Sequence, residues 1–352
     1  MKAAPLFSII INNWNYARFL GAAIESCLAQ DYGNLETIVV DDGSTDDSRA
    51  VIARFGGRVQ TVFKANGGQA SAFNAGFAAS RGQYVLFLDA DDSLRADAAS
   101  RFAAAFEAEP ASKVQARMQL IDESGAPLGI EEPAGHLAAG DWKETVLRLG
   151  PSSYPNTPTS ASAWARWYLE QVLPMPEPGF RVAADAYLKD LAPLFGRVLS
   201  VQEPVVNYRL HGANTSWWGW QSDPHGRLVR DAGHFDLCCE HIARFARQLG
   251  HACDAERLRR GGWKHLVRTH IIARWERRPG IPLRWTLGAV WTPRVRLLKR
   301  PAISALVLLI YLLPVKPAQA LVLRLYRERR IGYEAAVKKP AAPAGAMPHD
   351  AP

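Results

Sequence analysis

The first hundred residues predict an α/β fold built on a mostly parallel sheet with helices on both faces. Two observations carry this. Apolar, β-branched runs occur without polar alternation, and each is followed by a segment with helical spacing of apolar residues. A third observation locates the chemistry: acidic loops stand at the carboxyl ends of two of these runs, where ligands bind in such sheets.

The elements follow in order. FSIII (7–11) is the first strand, and YARFLGAAIESCLAQ (16–30) repeats apolar residues at helical spacing. LETIVV (35–40) is a second buried strand, closed by the acidic loop DDGSTDDS. Within that loop Asp46 precedes SRAV as a helix cap, and VQTVF then supplies a third strand. NGGQASAFNAG brings Gly67 and Gly68 ahead of a helix of small residues, a setting that permits close backbone approach to an anion at the helix N-terminus. YVLFL is the fourth strand, and Asp89, Asp91 and Asp92 crowd its end. At ~4 Å separation and an effective dielectric of ~20, each adjacent pair of like charges costs roughly 4 kcal/mol. A solvated turn explains such a cluster, and so does a bound cation. Both acidic loops fall at one edge of one sheet, which favours the cation.

Beyond residue 110 the pattern is irregular and Pro-rich, and 225–275 reads as two helices with basic faces. The run ISALVLLIYLL (303–313) is wholly apolar, but as a helix it spans only about 16 Å at ~1.5 Å per residue. A hydrocarbon core of ~30 Å is out of its reach, so an interfacial or re-entrant hairpin flanked by Arg is expected, with a buried core helix as the alternative. The tail 336–352 is rich in Pro and Ala and is expected to be disordered.

With 352 residues, the chain is expected to form one large domain with appendages, or two domains. It is 48% hydrophobic and 22% charged, as a globular protein is. The net charge of +8 is concentrated between Arg257 and Arg300, where Glu276 is almost alone among basic residues. Those basic residues flank apolar helices, a pattern suited to anionic lipid rather than nucleic acid. Cys27, Cys238, Cys239 and Cys253 form no CxxC pair, which suits reduced thiols in a cytosolic setting. The start of the chain reads as a strand rather than a secretory signal.

Taken together, SIIINNWNYARFL, VVDDGSTDDS, NGGQASAFNAGFAASRGQYVLFLDADD and, more thinly, GFRVAADAYLKDLAPLFGRVLSVQEPVVNYRLHGANTS resemble family 2 glycosyltransferases of the GT-A fold. The resemblance is dense over residues 7 to about 95 and resumes over 179–216. It implies a GT-A domain over 1–224, with a nucleotide-sugar half (1–110) and an acceptor half (111–224). A helical, membrane-associating region would follow over 225–335. Asn12, Asn13, Asp41 and Asp42 would line a nucleoside pocket, Asn66, Gly68 and Gln69 would border the base, and Asn74 would sit behind the phosphates. Asp91, with support from Asp89, would ligate Mg2+ or Mn2+ on the diphosphate, and His211 would close over it. Asp185 aligns with the base that deprotonates the acceptor hydroxyl. Ala184 stands where the family often has Glu, and Phe73 where many members have Arg, so phosphate charge would fall to the metal, His211 or Arg209. Thr159, Ser160, Trp217 and Trp218 are candidate acceptor contacts, since hydroxyls and aromatic faces both suit a sugar.

The chemistry implied is inverting transfer of a sugar from a nucleotide-diphosphate sugar to a saccharide or lipid-linked acceptor, in cell-surface polysaccharide or glycolipid synthesis. The enzyme would work at the cytoplasmic, inner face of an anionic membrane as a peripheral or monotopic protein. A catalytically silent nucleotide-sugar-binding protein of the same fold is an alternative, and Asp89, Asp91 and Asp185 argue against it. A nucleotidyltransferase would need a Gly-rich, basic loop after the first strand, which SIIINNWNY does not supply.

Overall fold

The structure is a computed structural model that describes residues 4–211, 224–292, 295–322 and 324. Its first half alternates strand and helix as the sequence predicts: β1 (Phe7–Asn13), α1 (Ala17–Leu28), β2 (Leu35–Asp41), α2 (Ser48–Ala53), β3 (Gln60–Phe63), α3 (Gln69–Ala79) and β4 (Tyr84–Asp89). The irregular middle contains β5 (Ser93–Leu94), α4 (Ala98–Ala108), β6 (Lys113–Ile121), β7 (Pro127–Glu132), α5 (Lys143–Leu149), β8 (Ser162–Ala165), α6 (Arg166–Val172), α7 (Asp185–Phe195) and β9 (Val198–Arg209). Among the described residues all nine strands join one sheet in the order β3-β2-β1-β4-β8-β6-β9-β5, with β7 paired to β6. The first four strands run parallel, and β8 enters antiparallel to β4.

The apolar strand runs do not alternate because both sheet faces are covered. Ile9, Ile11, Val39, Leu86 and Leu88 enter a core shared with α1 and α4. Their neighbours Ile10, Val40, Val85 and Phe87 enter a second core with α3 and α7. Close packing on the second face depends on Gly76, where a Cβ would lie 2.3 Å from Ile10 Cγ2 and 3.1 Å from Val40 Cγ2. Phe73 stacks on Phe87 in that core with ring centroids 4.1 Å apart. The register sets Asn12 opposite Asp89 and Asn13 opposite Asp41, so both acidic loops leave the sheet at one edge.

The C-terminal region holds α8 (Pro224–Gln248), α9 (Ala255–Arg260), α10 (Trp263–Trp275), α11 (Leu283–Val290) and α12 (Arg300–Leu312). Three helices, not two, occupy 225–275, because Asp254 accepts from the Glu256 and Arg257 amides and starts the short α9. Packing does not break at residue 224. Cys238, Cys239, Ile242 and Phe245 of α8 complete the second core. Leu228 and Ala232 at its other end join α10, α11 and α12 in a third. Part of the basic run is neutralised there, as Arg259 pairs with Asp236 and Glu240 of α8.

Helix α12 buries Val307 and Ile310, while Leu309 is 46% and Leu312 82% exposed. Leu298, just before it, is 95% exposed. No helix among the described residues is long and apolar enough to cross a membrane. None of the four cysteines forms a disulfide.

Candidate active site

A cleft of about 410 Å³ opens where β1, β2 and β4 end. Of the residues expected at a site, Asn12, Asn13, Asp42, Asn66, Gly68, Gln69, Asp89, Asp91, Thr159 and Asp185 line it. The sheet register explains the first of these, since parallel strands ending together place their last side chains side by side. Asn12 Nδ2 donates to Asp89 Oδ1 at 2.8 Å, and Asn13 Nδ2 donates to Asp41 Oδ1 at 3.0 Å. Asn15, with φ of 59°, turns the chain after β1 and accepts from Thr45 N at 2.7 Å, tying the loops after β1 and β2 together. Asp46 ends the same loop, accepting from Ser48 N at 3.0 Å and Ala17 N at 2.9 Å.

The glycine loop is organised around Asp42. Its carboxylate accepts from Lys64 Nζ at 2.6 Å, Gly67 N at 2.9 Å and Gly68 N at 2.7 Å. The next two amides, Gln69 N and Ala70 N, donate to the carbonyls of Arg181 and Phe180. The start of α3 is therefore satisfied by protein, and an anion seat at this helix N-terminus, expected from the sequence, is filled by Asp42 and the 180–181 strap. Gly68, at φ of 88°, is what lets the strap in: a Cβ there would stand 2.8 Å from Arg181 Cα.

Gln69 joins the two halves of the cleft. Its Nε2 donates to Asp89 Oδ1 at 3.2 Å, and its Oε1 accepts from Ala184 N at 2.9 Å, one residue before Asp185. Burial and the neighbouring Asp91 charge push the Asp89 carboxyl up to about 7, against the bonds from Asn12 and Gln69. Asp91 Oδ2 meets His211 Nε2 at 2.9 Å, and the His211 ring packs against Phe19 with centroids 4.8 Å apart. Asp92 neither faces solvent nor the cleft. It is buried, accepting from Ser160 Oγ at 2.6 Å and Arg209 N at 2.9 Å, and burial with Asp91 and Asp89 holds its carboxyl well above the usual range.

Asp185 opens α7 on the other wall. Burial would raise its carboxyl, but Lys189, whose Nζ donates to Oδ2 at 2.7 Å, together with His234 and Lys113, keeps it below the usual aspartate range. A second carboxylate on α7, Asp190, is 3% exposed and accepts from Ser152 N at 2.8 Å, away from the cleft wall.

Five expected site residues are not on the cleft wall. Asp41 is fully buried beneath the loop, holding Asn13 and lying 3.6 Å from Arg49 Nε. Asn74 brackets Met175, donating to its carbonyl at 3.0 Å and accepting from its amide at 2.9 Å, so it braces α3 instead of backing a phosphate. Ser160 is fully buried and committed to Asp92. Arg209 reaches under the Asp91 loop, with Nε on the Asp91 carbonyl at 2.9 Å and Nη1 near the carbonyls of Asp122 and Glu123. His211 stands behind Asp91. Phe73 faces the core, so an Arg at its position would not reach this cleft by the same path. Trp217 and Trp218 lie outside the described residues.

Sequence reasoning missed Trp14, Tyr16, Arg181 and Arg227, which also line the cleft. Arg181 Nη2 donates to Asn66 Oδ1 at 2.7 Å and Nη1 to Gly67 O at 3.1 Å. Nothing in the local pattern of GFRVAAD marks an arginine that folds back over a loop 115 residues away. Arg227, at the start of α8, pairs with Asp231 at 3.0 Å.

Among the described residues no three His, Cys, Asp or Glu side chains converge as a metal shell. The set present is Asp89 and Asp91, with His211 bonded to Asp91. Two carboxylates whose repulsion raises one of them fit a hard divalent ion that takes its remaining ligands from water or a phosphate. The raised Asp89 carboxyl has a consequence for stability. The folded state retains a proton between the ordinary value of 3.8 and about 7, so this group's contribution to stability falls as pH rises through that window. The melting temperature without metal is expected to fall on going from pH 5.5 to 8. Added Mn2+ should raise it more at pH 8, where no proton competes, as scanning fluorimetry would read.

Comparison with known proteins places these features. Residues 8–160 match the model of the family described as glycosyl transferase family 2. An uncharacterized glycosyltransferase of Nostoc sp. is 34% identical over 248 residues, which span 69% of this chain and 76% of that protein. The glycosyltransferase GlyG of Streptococcus pneumoniae is 31% identical over 157 residues, 40% of this chain and 52% of its own length. Among solved structures, S. aureus TarS 1–349 in complex with UDP-GlcNAc superposes with a TM-score of 0.51 at 15% identity, covering 94% of this chain and 92% of that one. At that identity the likeness is one of fold.

Proposed function

The chain belongs to glycosyltransferase family 2, with the mostly parallel sheet of the GT-A fold, and from this premise we propose an inverting, single-displacement transfer. A sugar moves from a nucleoside diphosphate sugar to an acceptor hydroxyl, with Asp185 as the base. One observation carries the reading: a carboxylate held below the usual range, Asp185, shares a single cleft with the carboxylate pair Asp89 and Asp91.

In this account the nucleoside lies toward Asn12, Asn13, Asp42 and Asn66, whose loop Arg181 pins from above. Asp89 and Asp91 would hold Mg2+ or Mn2+, which when bound supplies Lewis-acid stabilisation of the leaving diphosphate. Asn12 and Gln69 orient Asp89 from two sides. Asp185 takes the proton of the attacking hydroxyl, and a site with one base and no separate nucleophile inverts the anomeric centre. Gln69 keeps the two ends of this reaction path in register by bonding Asp89 and the amide before Asp185. Thr159, which lines the cleft, would bond the acceptor. The TarS structure that superposes on this chain holds UDP-GlcNAc, which supports a nucleotide-sugar donor of this general type.

The acceptor is proposed to be a saccharide or lipid-linked glycan made at the cytoplasmic face of an anionic membrane. The support is chemical: exposed Leu297, Leu298 and Leu312 stand among exposed Arg296, Lys299 and Lys316. A thermal-shift screen of UDP- and GDP-sugars with Mn2+ tests the donor, with at least one sugar nucleotide expected to stabilise the protein in a metal-dependent way. Flotation with phosphatidylglycerol vesicles tests the surface. Deleting residues 301–330 is expected to release the protein, and continued co-flotation of the deletion variant would remove this segment as the anchor.

A further inference from the structure

Resting on the base role proposed for Asp185, we infer that Lys189 is the positioning residue of that base. Its ammonium clamps Oδ2, so that the carboxylate meets the acceptor through its other oxygen and stays ionised in a buried setting. The pair spans one turn of α7, with Nζ 2.7 Å from Oδ2 and side chains only 16% and 13% exposed. On a solvated helix an i,i+4 pair of this kind contributes a few tenths of a kcal/mol. Inside the protein the situation differs, because an ionised carboxylate left there without a partner would neutralise instead.

The other charged groups around Asp185 do not replace Lys189. Lys113 of β6 is fully buried, its Nζ donating to Gln115 Oε1 at 3.0 Å, and burial with the nearby Lys189 charge drives its amine well below the usual lysine range. His234 of α8 also lowers Asp185, but less than Lys189 does, and burial holds its own imidazole below the usual range. Asp190, also on α7, binds Ser152 N, and Asp89 across the cleft carries charge of the wrong sign to help. Lys189 itself is raised: burial lowers it, but Asp185 and Asp190 outweigh that. Among the described residues, Lys189 is the cation seen bonded to the base, with Nζ on Asp185 Oδ2.

The step this serves is balanced. The acceptor O–H bond breaks and its proton goes to Asp185. The oxygen bonds the anomeric carbon, and the bond to the diphosphate breaks with its electron pair leaving on the phosphate oxygen. A proton now on Asp185 sits beside a fixed ammonium, which favours its return to water. Lys189 stays an ammonium throughout and neither gives nor takes a proton in the step.

The test needs no substrate. In protein labelled with 13C at Asp Cγ, the Asp185 signal is assigned by its loss in Asp185→Asn and followed against pH. In the wild type it titrates below the ordinary aspartate range. In Lys189→Met it is expected to titrate above that range, because burial remains without the cation, while Lys189→Arg keeps it low. Should Lys189→Met fail to fold, Lys189→Gln, which retains a donor to Oδ2 without charge, is expected to show the same rise. An Asp185 titration unchanged in whichever neutral variant folds overturns the inference. In turnover, the acid limb of kcat/KM moves up with the titration, while donor affinity stays unchanged. A near-wild-type rate in Asp185→Asn would remove the base reading and leave the titration result standing, so the two failures are separable.

Discussion

Asp185→Asn is expected to lower turnover by about 10²–10⁴-fold while donor affinity changes little. The amide keeps the shape of the side chain at the start of α7 but cannot accept the proton of the attacking hydroxyl. The proposed donor contacts are made by other cleft residues, Asp42, Asn66, Asp89 and Asp91, so the loss is expected in kcat and not in binding. The buried Lys189 ammonium loses its counter-charge, which predicts a lower melting temperature, to be read beside turnover as a control on folding. Nucleoside diphosphate release with saturating donor gives the rate, and calorimetric titration of the donor gives the affinity. A variant that kept near-wild-type turnover would pass the base role to another group.

Asp91→Asn is expected to reduce metal-dependent turnover by about 10²–10³-fold at saturating Mn2+, with a weaker apparent metal affinity. The asparagine retains a polar partner for His211 at the position Asp91 Oδ2 now holds, 2.9 Å away, so the fold is preserved and the charge is what is lost. Removing Asp91 also removes the larger of the charge effects that raise Asp89, whose carboxyl then falls toward the ordinary range. Metal titrations of the wild type and variant at pH 7 and 8 measure both consequences. Equal Mn2+ dependence in the two proteins would contradict the assignment.

Much of the donor side was legible in the sequence because parallel strands impose local order. Once Phe7–Asn13, Leu35–Asp41 and Tyr84–Asp89 are strands of one parallel sheet, Asn12, Asp42 and Asp89 must meet at its carboxyl edge. What was not legible depends on contacts far apart in the chain. Asp91 and Asp92 look alike in DADDS, yet one lines the cleft and the other is buried on Ser160, a choice set by β9 bringing the Arg209 amide to Asp92. Asn74 and Arg209 have the right residue types for phosphate, but Met175 and the carbonyls of residues 91, 122 and 123 take them. The anion seat expected at the start of α3 is filled for the same reason, since Asp42 and the distant carbonyls of Phe180 and Arg181 satisfy those amides first. Lys189 gave no signal beyond its spacing to Asp185, because its effect arises from burial that only the tertiary fold creates.

The central claim is a direct displacement at the anomeric carbon with Asp185 as its base, and product stereochemistry tests it most directly. With an α-linked sugar nucleotide as donor and water as acceptor, proton NMR can follow the released sugar before it mutarotates. The account predicts that the β-anomer appears first in the wild type, and that Asp185→Asn suppresses it. Initial release of the α-anomer would mean retention, and would contradict a single displacement at this site.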